Sequence, residues 1–283
     1  MLGKQHIFVT SFFLIAYLSI LMFSYFHTGQ ITLATFFPIL ISVFYKNYIF
    51  LFLFSIGVMI SATAPDIDIS SNIKGIKIWN KLTRFGYILL VGTLLTIIPN
   101  KDFAHRHLYH SFIGMIMYSV IIVGIAFSIL FGYTLITAFI TTHSISLSSF
   151  SVAYQLFLKY EIYVEMFIIG CAVGFFSHLL EDSITVSGID YFPFITKKRL
   201  AGKFVTVGKN GIYKKFDGTT MKVGYFKRSQ FGAWLDVFYA LLFVFLFFYF
   251  NIYLYSLVIC SLIFLVGLLI FDTIFCGLKI IPY

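Results

Sequence analysis

Residues 241–250 read Leu-Leu-Phe-Val-Phe-Leu-Phe-Phe-Tyr-Phe. An unbroken apolar run of this kind lacks the period-two alternation that a half-wet strand or a membrane-barrel strand requires. The same texture recurs along all 283 residues, of which 60% are apolar, 20% aromatic and only 11% charged, with 37 Phe. Soluble domains hold roughly 45–50% apolar and 25% charged residues, which excludes a soluble globular enzyme. The expected fold class is all-α, a polytopic transmembrane helical bundle of about six spans.

Outward from that run, residues 235–250 and 252–271 make the two closing spans. At the other end, residues 7–26 meet the roughly 20 residues that a crossing helix needs. A single flanking Lys4 and the lack of a small-residue cleavage site predict a retained helix rather than a signal peptide. Residues 31–64 are interrupted by Tyr45-Lys46-Asn47, and Pro38 predicts a kink. This region is expected to make one net crossing, with one half re-entrant or interfacial. Residues 85–98 would extend only about 21 Å as a helix before Pro99 and are not expected to cross. Residues 111–141 and 162–178 supply the remaining spans, joined by a Ser/Thr-rich link.

Between the fourth and fifth spans the composition changes. Ten Lys or Arg between Lys197 and Arg228 face one acid, Asp217. Alternating pieces here, Lys203-Phe-Val-Thr-Val and Gly211-Ile-Tyr-Lys-Lys-Phe, are set apart by turn residues such as Asp217-Gly218 and predict short hairpin strands. The resulting organisation is a membrane helical domain over 1–195, a small basic β-rich insert over 196–232 and a C-terminal helix pair over 233–283. The formal charge of +9 would suit nucleic acid. Basic residues flanking apolar spans more often mark cytoplasmic loops and anionic headgroups. Both termini and the insert are therefore expected on the cytoplasmic face of the cell membrane. Cys171, Cys260 and Cys276 have no CxxC spacing and are expected to be small core residues.

An ionisable group costs roughly 2.5–3.5 kcal/mol at the centre of a membrane helix, so clustering of such groups is informative. Four clusters stand out. His6 opens the first span. Asp66 and Asp68 follow Ala64-Pro65 at the end of the second apolar region. Next, His105-Arg106-His107-Leu108-Tyr109-His110-Ser111 precedes a long span; His105 and His110 can face one site only if the helix begins near His110. Finally, His178 and Asp182 stand at i,i+4 on one helix face, a spacing that suits two ligands to one metal or a His oriented by a carboxylate. In the topology above all four clusters fall at the same membrane depth. Histidine and carboxylate ligands without cysteine favour zinc, with manganese or iron as alternatives, and the candidates suffice for two ions that activate a water. Arg106 is placed to hold a phosphate or another anion.

These residues resemble the YdjM-like family of inner-membrane metal-dependent hydrolases. That family looks like an N-terminal Gly-x-x-His, then Pro-Asp-Ile-Asp-His, then His-Arg-Gly-x-Thr-His-Ser, then Ser-His-Leu-x-x-Asp-x-x-Thr-x-x-Gly. The chain reads Gly3-Lys4-Gln5-His6, Pro65-Asp66-Ile67-Asp68-Ile69, His105 through Ser111 as above, and Ser177-His178 through Asp182, Thr185 and Gly188. Ile69 stands where the family often has His, His107 where it has Gly and Tyr109 where it has Thr. More distantly the pattern is similar to zinc-dependent phospholipase C and zinc nucleases, which implies a phosphoester substrate. On this resemblance His6, Asp66, Asp68, His110, His178 and Asp182 bind metal. His105, Arg106 and Asp68 serve the reaction, and membrane lipids or another anionic substrate meet the basic insert. The competing expectations are a divalent-metal carrier and a non-catalytic membrane scaffold.

Overall fold

The computed structural model describes residues 3–25, 33–66, 110–143, 147–193, 195–196, 198–207, 210–214 and 219–282. Among them are six helices long and apolar enough to cross a membrane. They are α1 (Gly3–Tyr25), α2 (Leu33–Ser61), α3 (Phe112–Thr142), α4 (Leu147–Ser183), α5 (Ser229–Tyr249) and α6 (Leu257–Phe271). Large apolar side chains such as Phe37, Ile41, Phe131, Phe245 and Val266 are exposed along these helices. On a soluble protein so much bare apolar surface would be a liability; on a membrane protein it faces acyl chains. The chain is an all-α polytopic bundle.

Three boundaries differ from the sequence reading. First, α2 is one 29-residue helix with a kink at Asn47 (φ −121°, ψ 16°), where the Asn47 side-chain amide donates to the Val43 carbonyl at 2.9 Å. A side chain that competes for the backbone acceptor bends the helix without ending it. Second, the Ser/Thr-rich link is mostly helix. After Thr142 the chain turns through His143 in the left-handed region (φ 51°), and α4 begins at Leu147 and runs 37 residues. Ser and Thr are tolerated there because helix continuity is set by backbone bonding, not side-chain polarity. Third, the last span starts at Leu257, with the Ser256 hydroxyl capping Ile259 N–H, and Ile252–Leu254 form a 3₁₀ turn. Residues 85–98 lie outside the described residues.

The close contact that organises the bundle is between α2 and α4. A Cβ built on Gly174 would lie 2.1 Å from the Val58 carbonyl oxygen, one on Gly170 2.2 Å from that of Phe54, and one on Gly57 2.4 Å from that of Phe167. The two backbones therefore touch, as small residues spaced by four permit in membrane helices. Helix α3 packs on the other side of α4 through Tyr118, Ile122, Phe175 and Leu179, and the Tyr118 hydroxyl meets Ser61 at 2.8 Å. Helix α1 lies between α2 and the α5–α6 pair, with Phe13, Phe23, Phe243, Phe247 and Phe264 in one core.

The insert is built differently from a run of local hairpins. One hairpin is present, β2 (Ile212–Lys214) with β3 (Thr220–Lys222). The strand β1 (Lys198–Ala201), however, pairs antiparallel with β4 (Lys279–Pro282), some 80 residues away, in the register Leu200 to Ile280. Lys203-Phe-Val-Thr-Val forms no ladder. Phe204 bridges Thr185 and Val205 bridges Arg228, so this piece straps the end of α4 to the start of α5.

Candidate metal centre

Each polar cluster sits at a helix end, and the bundle brings four of those ends together. His6 lies in the second turn of α1, Asp66 just past α2, His110 just before α3, and His178 and Asp182 in the last two turns of α4. Helix α3 begins after Ser111, whose hydroxyl accepts from Gly114 N–H at 3.1 Å, so His110 stands in the preceding turn and points back into the bundle. His6, His110, His178 and Asp182 are all 0–1% exposed. Asp68, His105 and Arg106 lie outside the described residues.

Within the cluster His110 Nε2 lies 3.3 Å from Asp66 Oδ1 and 3.5 Å from Asp182 Oδ2. His178 Nε2 lies 3.5 Å from Asp182 Oδ2 and 3.9 Å from Asp66 Oδ1, and His6 Nε2 lies 3.4 Å from Asp182 Oδ1. All five spacings exceed the 2.7–3.2 Å of an N–H···O hydrogen bond. All but the 3.9 Å spacing lie close to the edge of a tetrahedron around zinc, about 3.3–3.4 Å for metal–ligand bonds of 2.0–2.1 Å. Two overlapping groups could hold a metal ion, one of His6, His178 and Asp182 and the other of Asp66, His110 and His178.

The second nitrogens of two rings explain how the site is oriented. His178 Nδ1 donates to the Ala62 carbonyl at 2.7 Å, an acceptor left free where α2 ends. His6 Nδ1 donates to Glu181 Oε2 at 2.8 Å, and the Thr10 hydroxyl donates to Oε1 of the same carboxylate at 2.8 Å. Both rings thus turn a bare Nε2 lone pair inward. Those two Nε2 atoms are buried and make no hydrogen bond among the described residues. A lone pair 3.4 Å from a carboxylate oxygen is repulsive until a proton or cation lies between them, so the donor set fits a cation. The arrangement of ring, outer carboxylate and inner nitrogen is the one that metal-binding histidines use. The His6 and His178 rings also stack, with centroids 3.7 Å apart.

Protonation states outside the spans agree with this. Burial disfavours the Asp66 carboxylate, but positive charge at the His178 position outweighs it, aided by the His110 contact at 3.3 Å, and holds the group well below the usual carboxylate range; a cation in the pocket supplies the same charge. Burial, reinforced by His178, pulls His110 below the ordinary imidazole range against the opposing effect of Asp66 and Asp182. Both shifts favour the forms, ionised Asp66 and uncharged His110, in which each can donate a lone pair.

Beyond Asp182 the motif is structural. The Thr185 hydroxyl donates to the Asp182 carbonyl at 2.8 Å and ends α4. Gly188 takes a positive φ of 60°, and a Cβ there would meet the Leu200 carbonyl oxygen at 2.4 Å, so only glycine lets the connector dock on β1. Sequence reasoning missed Glu181 and Thr10. Helical spacing carried a signal for both: Thr10 is one turn after His6, and Glu181 is one turn after His178. Asp236 and Asp272 were also unremarked, although two acids inside apolar runs are conspicuous, and Cys276, expected to be a small core residue, lies beside them in a third group that could hold a metal ion.

The model of a family described as YdjM inner membrane protein matches residues 30–260, a stretch that contains Asp66, His110, His178 and Asp182. No curated protein and no solved structure matches the chain.

Proposed function

The chain belongs to the YdjM inner membrane protein family, and from that premise we propose that it is a membrane-embedded, zinc-dependent hydrolase of a phosphoester at the cytoplasmic interface. The observation that carries this reading is the convergence of inward-turned His6 and His178 Nε2 atoms, without hydrogen-bond partners among the described residues, on Asp66, Asp182 and His110. A divalent ion held there supplies a Lewis acid for a phosphoryl oxygen and lowers the pKa of water, so that a nucleophile exists at neutral pH.

The protein's own groups have distinct tasks in this reading. His6, Asp66, His110, His178 and Asp182 bind metal, and Asp68 completes the set. A second ion would need such an added ligand, because His178 Nε2 belongs to both groups and can serve one ion only. Arg106 pairs with the anionic group of the substrate, and His105 passes a proton to the leaving oxygen. The basic insert, with Lys198, Arg199, Lys203, Lys214, Lys222, Lys227 and Arg228, raises the local concentration of an anionic lipid or another anionic substrate.

Glu181 acts through His6, as a positioning residue. Glu181→Gln keeps the side-chain shape but removes the charge that favours the Nδ1–H tautomer, and zinc affinity is expected to fall by about 10- to 100-fold. Competition with a chelating dye reads this directly, and thermal unfolding of the metal-free protein should scarcely move. Unchanged affinity would remove Glu181 from the site.

Hydrolysis is tested with the full chain in mixed micelles of detergent and phosphomonoester or phosphodiester lipids, with zinc or manganese added. Metal-dependent release of product that is lost in both His178→Ala and Asp66→Ala supports the reading. Activity retained in both variants defeats it, and metal-dependent uptake into proteoliposomes without hydrolysis would replace it with a carrier. A single-stranded oligonucleotide in the same assay decides whether the anionic substrate is a nucleic acid.

A further inference from the structure

We propose that Asp236, Asp272 and Cys276 form a second zinc site, separate from the His/Asp centre and structural in role. Asp236 is the eighth residue of α5, and Asp272 and Cys276 bound the π-helical turn that follows α6. One ligand atom from each lies within 4.8 Å of the others, and the three residues are 1%, 2% and 0% exposed.

Two features point to a cation here. The Oδ1 atoms of Asp236 and Asp272 are both buried and make no hydrogen bond among the described residues. No Lys or Arg among the described residues pairs with either carboxylate. Two facing carboxylates in a water-poor interior repel each other when both are ionised, and an unpaired one is costly on its own. A cation between them removes both penalties at once. The thiol selects which cation: magnesium and calcium take oxygen ligands, whereas zinc accepts a thiolate beside carboxylates and needs only one further ligand, such as water, to complete four-coordination.

The position gives the site its role. Cys276 O accepts Lys203 N–H at 3.1 Å, and the chain runs directly from Gly277 into β4, which pairs with β1 beside the end of α4. A zinc ion joining α5 to this turn would pin the C-terminal strand, and through Lys203 the strap that ties the end of α4 to the start of α5. The inference does not depend on the proposed hydrolase reaction.

Cobalt(II) separates the two sites, because only this one contains a cysteine and only a cobalt–thiolate bond produces a charge-transfer band in the near ultraviolet. Titration of the metal-stripped full chain in detergent should develop that band, with a final amplitude corresponding to one thiolate-bound cobalt per chain. Cys276→Ser should abolish it, while Cys171→Ser, Cys260→Ser and the pair His178→Ala, Asp182→Ala should leave it in place. Asp236→Asn, close to isosteric, should bind zinc at least tenfold more weakly and lose one equivalent by elemental mass spectrometry even if Cys276→Ser does not fold. Absence of the band at saturating cobalt, its survival in Cys276→Ser, or full zinc content in Asp236→Asn overturns the proposal in favour of two carboxyl groups sharing protons.

Discussion

A variant carrying both His178→Ala and Asp182→Ala is expected to lose the metal of the His/Asp centre and to keep any zinc bound by Asp236, Asp272 and Cys276. His178 belongs to both ligand groups, and Asp182 reaches all three histidines at 3.4–3.5 Å. Loss of an outer partner alone weakens metal binding by about 10- to 100-fold, so removal of two direct ligands should weaken it by well over a hundredfold. Elemental mass spectrometry of the purified protein reads the stoichiometry. Thermal unfolding adds a second readout, since zinc at 100 times its dissociation constant stabilises a folded protein by about 2.7 kcal/mol. Stabilisation arising from the His/Asp centre should vanish in the variant. The metal-free protein loses stability as well, because the His178 ring takes with it the hydrogen bond to the Ala62 carbonyl, so the readout is the increment that added zinc produces in parent and not in variant. Equal zinc content in variant and parent would show that the cluster holds no metal.

The next largest effect is expected at a residue that touches no ligand. In Gly174→Ala the new methyl group would sit 2.1 Å from the Val58 carbonyl oxygen, inside van der Waals contact by more than 1 Å, and neither the Cβ, fixed by its own backbone, nor the backbone oxygen can swing away. The helices must separate. Overpacking of this kind costs about 1–3 kcal/mol in a well-packed core. Separation also moves the Ala62 carbonyl and Asp66 away from His178, one turn beyond Gly174. Lower thermal stability and weaker zinc binding should therefore appear together. Gly132→Ala is the control, because nothing lies within 4 Å of its Cβ. There alanine's better helix propensity should stabilise by about 0.5–1 kcal/mol. If the two alanine variants behave alike, close packing of α2 on α4 does not organise the site.

Much of the architecture was legible because its cause is local. A run such as residues 241–250 has one stable solution in lipid, a helix that bonds its own backbone, and this holds whatever surrounds it. The i,i+4 spacing of His178 and Asp182 likewise placed them on one face before any neighbour was known. Where local signals compete, the reading failed. Asn47 looked like a break and is a kink, and the Ser/Thr-rich stretch before residue 162 looked like a link and is the first half of α4. Polar side chains weaken an apolar signal without weakening the backbone bonds that carry the helix onward.

By itself the sequence determined that this is a multi-pass helical membrane protein whose histidines and aspartates gather at helix ends. Which of them meet, and what turns them inward, was decided only by tertiary structure. His6 meets Glu181 across 175 positions and His178 meets the Ala62 carbonyl across 116. Likewise β1 finds β4 rather than a neighbour in the insert. Such pairings leave no trace in spacing, because they are set by where glycine backbones on α2 and α4 allow two helices to touch, and that contact exists only when the bundle does.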